Sequence, residues 1–307
     1  MIGHHLQWCP ISIIIKTMRK QILQWIVLVA AVCIIGCGGQ AQSQDDTEKI
    51  NTEYVHVEST FDIESGAAED MQSIQRIVKV AVIDTGFSPE AIPNKCVLEG
   101  KNYLYPERST VDTYGHGTAV ASIILQYAPN AMLIPLVSNA YDGRHIEQVD
   151  NDTLAQMIVD AVDVYDADII NISAGLVLDK EVVRDAIAYA KESEVLVVAS
   201  AGNDYDLNGS VPYYPAAYES VLAVGSLNKE GTELATFSQR GEWVDVYVVG
   251  EEVTIGTLSG NTRTSSGTSY SAARITAAAA NLWMAEAELT VSELKEKIME
   301  CFPNTYW

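Results

Sequence analysis

"IVKVAVIDTG", residues 77–86, decides the fold. Apart from Lys79 it runs apolar through Ile83, the pattern of a strand buried on both faces rather than on one. It then stops at a carboxylate, Asp84. A carboxylate placed directly after such a run is costly to bury unless it is hydrogen-bonded or functional.

Working outward, apolar runs alternate with helical patterns. "HGTAVASIILQYA" reads as a helix and "AMLIPLV" as a strand. A second helix begins near Asn151 or Asp152, either of which can cap it, and sets Leu154, Met157, Ile158, Ala161, Val162 and Tyr165 on one face. "DIINIS" is a strand. A helix follows with Val182, Val183, Ala186, Ile187 and Ala190 inward, then strands at "EVLVVAS", "SVLAVGSL" and "WVDVYVV". An alanine-rich helix and a short one near "VSELKEKIME" close the chain. Alternation of this kind predicts an α/β fold, a parallel sheet covered on both faces, with sites at the carboxyl ends of the strands.

Four polar residues stand at strand ends or helix starts. Asp84 ends the first strand, and His116 lies between two glycines in "YGHGTAVAS". Asn203 follows "VLVVASAG", and Ser269 sits in "SSGTSYSAA" ahead of the alanine-rich helix. Singly, each reads as a cap or a turn former. Together they supply orienter, base, oxyanion donor and nucleophile. The chain order Asp, His, Ser is that of subtilisin, and the G-x-S-x-G elbow of the α/β-hydrolases is missing.

"VAVIDTG", "GHGTAVAS", "DIINISAG", "VVASAGN" and "SSGTSYSAA" resemble, in order, the main motifs of the subtilisin-like serine proteases. The resemblance covers roughly residues 76–302. It implies a three-layer subtilisin-like fold and peptide-bond hydrolysis without a cofactor. It also implies roles: Ser269 as nucleophile, His116 as general base and acid, Asp84 as its orienter, and the Asn203 side chain as oxyanion donor. Ser173, Ala174 and Gly175 match the edge along which such enzymes bind extended peptide. Tyr213 falls where relatives often have a small residue at the base of the pocket for P1, the residue before the scissile bond. A phenol turned inward there makes the pocket shallow and favours small P1 residues; turned outward, it does not.

Other departures carry expectations of their own. Ala273 replaces the usual proline four residues after the nucleophile, which implies a modest change in how an acyl-enzyme divides between water and amines. "ASIILQYAPNAMLIPLV" passes straight from helix to strand where many relatives insert a calcium loop. "DYDLNG", residues 204–209, resembles the start of an EF-hand loop, but Pro215 stands where the bidentate Glu is needed, so a polar turn is expected. No spacing supports zinc, and no metal site is expected.

The N-terminus reads as an address. "MRKQILQWIVLVAAVCIIGC", residues 18–37, has a basic start, a short apolar run and a terminal Ile34-Ile35-Gly36-Cys37 that resembles the lipobox of bacterial lipoproteins. That implies a start at Met18, a lipidated Cys37 and an extracytoplasmic, membrane-anchored body. Residues 38–75 read as an acidic flexible tether, 76–302 as the peptidase domain and 303–307 as a tail. About 47 residues between Cys37 and Asp84 leave little room for a folded inhibitory propeptide. Cys96 and Cys301 lack a spacing signature, and whether they pair is open. The chain carries a net −22, and residues 38–307 hold 16 basic against 41 acidic residues, a net −25. Such a body repels nucleic acid and favours cationic peptides. The expected partner is a peptide or protein substrate, and the expected state a monomer. A non-catalytic scaffold and a peptide ligase or cyclase are the alternatives.

Overall fold

A computed structural model describes residues 76–306, apart from Asp142. The signal segment, Cys37 and the tether lie outside the described residues.

Seven strands form one parallel sheet in the order β2-β3-β1-β6-β7-β8-β9. They are β1 (Lys79–Asp84), β2 (Lys101–Asn102), β3 (Met132–Val137), β6 (Ile169–Ile172), β7 (Leu196–Ser200), β8 (Leu222–Leu227) and β9 (Val246–Val249). Two hairpins stand apart from it: β4 (Asn139–Tyr141) with β5 (Ile146–Gln148), and β10 (Val253–Gly256) with β11 (Thr262–Ser265). The longer helices are α1 (His116–Tyr127), α2 (Asn151–Asp163), α3 (Glu181–Glu192), α5 (Thr268–Ala285) and α6 (Val291–Cys301); α4 (Tyr205–Asn208) is a single turn.

The continuous apolar strands are explained by two separate cores, one on each face. Val80 and Val82 of β1 join α1, α5 and α6 in one core, together with Leu196 and Val198 of β7. Ala81 and Ile83 join α2, α3 and Val197 in the other. Alternate side chains thus serve opposite layers, each buried Val, Leu or Ile contributing about 1.5–3 kcal/mol.

The winding reverses at β1. From β1 the chain passes through the edge strand β2 and then α1 to β3 on one side, then through α2 back across β1 to β6 on the other. Because the direction reverses, α1 and α2 cover opposite faces. The carboxyl ends of β1 and β6 therefore border the crevice that such a switch opens.

The helix and strand order expected from the sequence is observed, with local corrections. Helix α2 is capped by Asp150, whose carboxylate accepts from the Thr153 amide at 2.8 Å, and not by Asn151 or Asp152. Val182 is 39% exposed, because α3 turns only Val183, Ala186, Ile187 and Ala190 inward. The two hairpins and the two-residue β2 carry too little apolar periodicity to be read. Only four residues link α1 to β3. Cys96 is buried and Cys301 exposed, and both are free thiols. Among the described residues, no helix is long and apolar enough to cross a membrane.

Candidate active site

Asp84 closes β1 with its side chain buried. One carboxylate oxygen accepts from the Thr85 amide at 2.8 Å. Both oxygens face Nδ1 of His116, at 2.8 and 2.9 Å. A buried carboxylate is thus satisfied by one amide and one imidazole, which must present its Nδ1–H. The other ring nitrogen is left to exchange protons. Burial alone would pull the imidazole pKa down, but the charge and hydrogen bond of Asp84, and the charge of Asp112, outweigh it and hold the pKa above the ordinary value. The His116 side chain remains 27% exposed, so substrate has access to it.

The glycines on either side of His116 have separate duties. Gly115 takes φ +103°, a left-handed conformation that turns the chain into α1. Gly117 lies against β1's extension, where a Cβ would stand 2.4 Å from the Gly86 carbonyl oxygen. Its amide donates to Thr85 Oγ1 at 2.8 Å.

Ser269 is the second residue of α5, at the end where the helix dipole and free amides favour negative charge. Its hydroxyl donates to the Ser173 carbonyl at 3.3 Å, tying the start of α5 to the end of β6. A buried polar chain holds that junction: Thr276 Oγ1 donates to Asn171 Oδ1, and Asn171 Nδ2 to Ser173 Oγ, both at 2.9 Å. Tyr270, the next residue, brings its ring to within 6.2 Å of the His116 ring, centroid to centroid.

Asn203 leaves β7 with its side chain oriented by α5. Its Oδ1 accepts from the Thr268 amide at 2.8 Å and from Thr268 Oγ1 at 2.9 Å. With the oxygen occupied by Thr268, the residue before Ser269, Nδ2 is the group left to donate. A Cβ on Gly267 would lie 3.6 Å from that nitrogen.

Tyr213 is turned inward. Cβ atoms built on Gly175 and Gly202 would lie 3.3 and 3.0 Å from opposite edges of its ring, so the phenol fills the gap between the continuations of β6 and β7. Its hydroxyl donates to Asp204, which raises the phenol's pKa to about 12. Asp204 also accepts from Gln239 Nε2 at 2.9 Å and from Asn208 Nδ2. Residues 204–209 are the expected polar turn, with the leading carboxylate taken up by three donors. Among the described residues, no cluster of three or more His, Cys, Asp or Glu side chains can hold a metal ion.

The sequence profile of the subtilase family, Peptidase_S8, matches residues 75–304. The chain belongs to the subtilase family. It is similar to the minor extracellular protease Epr of Bacillus subtilis (strain 168), at 34% identity over 233 residues, 72% of this chain and 34% of that one. It is also similar to subtilisin DY of Bacillus licheniformis, at 30% over 240 residues, 74% of this chain and 84% of that one. The chain therefore spans about a third of Epr and most of subtilisin DY. Among solved structures, a cold-adapted subtilisin-like serine proteinase shares the fold, with a TM-score of 0.62 at 23% identity over 71% of this chain and 80% of that one.

In this subtilase Asp84 and His116 are in direct contact, Asn203 is held by Thr268, the residue before Ser269, and Tyr270, the residue after it, faces the His116 ring. Ser173–Gly175 run off the end of β6, and Leu176 then pairs with Tyr214 through two backbone hydrogen bonds of 2.8 and 2.7 Å. Sequence reasoning missed the residues that aim the others: Thr268, Asn171, Thr276, Gln239 and Asp112. Each is an ordinary polar residue whose role exists only through a distant partner. Gly117→Ala tests the closeness of α1 to β1. Its methyl meets backbone rather than a flexible side chain, so we expect a loss of about 3 kcal/mol in urea unfolding.

Proposed function

We propose that this subtilase is a serine endopeptidase working through an acyl-enzyme. The observation that carries the reading is the Asp84–His116 pair, buried on the Asp84 side and open on the other, with the His116 ring facing that of Tyr270, the residue after Ser269 on α5. Ser269 attacks the peptide carbonyl while His116 takes its proton and passes it to the leaving amine. Asp84 holds the imidazole's tautomer and stabilises its cation. The Asn203 Nδ2 and the Ser269 amide receive the oxyanion; such a side-chain donor typically supplies on the order of 10²–10³ in kcat, a figure taken from a subtilisin. Water then releases the acyl group through the same base.

Extended substrate lies along Ser173, Ala174 and Gly175, with Tyr213 closing the pocket that receives P1. Export followed by lipidation of Cys37 would tether the enzyme outside the cytoplasm, where a dedicated peptide-processing role suits it. The ligase alternative has Ala273 alone behind it, and the scaffold alternative is disfavoured by the intact Asp84–His116 pair.

Fluorophosphonate labelling of the full chain in detergent tests the nucleophile. The wild type labels and Ser269→Ala does not; a folded wild type that stays unlabelled refutes the reading. Peptide-library profiling tests the pocket. We expect glycine, alanine or serine at P1 in the wild type, and a shift of at least tenfold in relative kcat/KM towards aromatic P1 in Tyr213→Gly. An aromatic preference in the wild type contradicts it.

A further inference from the structure

Asp112 is a buried carboxylate to which peptide hydrolysis, as described above, gives no role. It is 4% exposed and lies in the turn leading into α1, four residues before His116. One oxygen accepts from the amides of Tyr114 and Gly115, both at 2.8 Å. The other accepts from the Thr118 amide at 3.0 Å and from Thr118 Oγ1 at 2.7 Å. Its own amide donates to the Phe87 carbonyl at 3.1 Å, tying the turn to the segment that follows Asp84.

All four partners donate to this side chain. Three are amides, which only donate. The fourth, Thr118 Oγ1, takes the Ser88 amide's hydrogen at 3.0 Å and gives its own to Asp112. Four donors around one buried side chain suit a carboxylate, whose charge reaches further in this low-dielectric setting than at the surface.

We propose that Asp112 is a positioning residue of the reaction: a second carboxylate that shapes the His116 turn and stabilises the imidazolium formed when Ser269 gives up its proton. It acts through the backbone it grips on both sides of His116 and through its field. It touches neither substrate nor the reacting atoms. The inference rests on the serine-peptidase reading. The groups facing His116 are Asp84 from β1, Asp112 from the turn, and the Tyr270 ring from α5. The two carboxylates act in the same direction, and Asp112 is the one without a contact to the ring.

The test is the pH profile of kcat/KM on a short peptide, for the full chain and for Asp112→Asn and Thr118→Val. With the Asp112 charge gone, imidazolium is less favoured, so the neutral base survives to lower pH. The acid limb should therefore move to lower pH in Asp112→Asn. The plateau kcat should fall about tenfold, equivalent to about 1.4 kcal/mol, with KM little changed. Thr118→Val removes two hydrogen bonds, the one to Asp112 and the one from the Ser88 amide, but keeps the charge, so its acid limb should stay at the wild-type pH. A plateau loss in Asp112→Asn with an unmoved limb would overturn the proposal and leave Asp112 a structural residue. Asp112→Ser serves as the smaller replacement, and failure of both to fold would overturn it equally. Fluorophosphonate labelling of the wild type separates the two levels: an unlabelled wild type sinks the peptidase reading, a labelled one with an unmoved limb sinks only this proposal.

Discussion

The structure around the crevice is organised by the need to satisfy one buried carboxylate. Asp84 stands at the end of a strand covered on both faces, where an unpaired charge would cost several kcal/mol. The Thr85 amide meets part of the demand and His116 the rest. For His116 to do so, α1 must start within a few ångströms of the end of β1, and that close approach dictates the neighbouring sequence. Gly117 has no room for a Cβ against the Gly86 carbonyl, and a Cβ on Gly86 would itself stand 2.2 Å from the Thr110 carbonyl oxygen. Asp112 and Thr118 then lock the turn that brings the imidazole in.

The remaining parts are delivered by the reversal of winding at β1 and by one helix. Helix α5 runs beneath the sheet, its second residue Ser269 beside the end of β6 and its first, Thr268, beside Asn203 at the end of β7. The buried alanines of α5, among them Ala273, keep that helix close to the sheet. The Thr276–Asn171–Ser173 chain of hydrogen bonds pins the junction of α5 with the end of β6.

How much of this was legible in the sequence follows from what each feature depends on. Strands β1, β3, β6, β7 and β8 are largely apolar runs that need no partner to be recognised. Asp84 and Asn203 follow such runs, and His116 and Ser269 open helices, so the four can be picked out as a set. The orientation of Tyr213 was not legible, because it is set by Asp204 and Gln239, and Gln239 lies 26 positions away along the chain. Asp112 reads as a turn former until its four donors are seen together. The cap of α2 was placed one or two residues late because Asp150, Asn151 and Asp152 are all capable of the role, and only backbone geometry chooses among them.

The whole site depends on Asp84 being fixed on His116, and the protonation of the imidazole reports on that contact. Proton NMR of the His116 ring in the full chain, titrated beside Asp84→Asn, separates the two contributions to its environment. The wild-type ring should titrate above an ordinary histidine. The Asp84→Asn ring should titrate at lower pH than the wild type, because burial then acts with one carboxylate fewer against it. Identical titrations in the two proteins would contradict it.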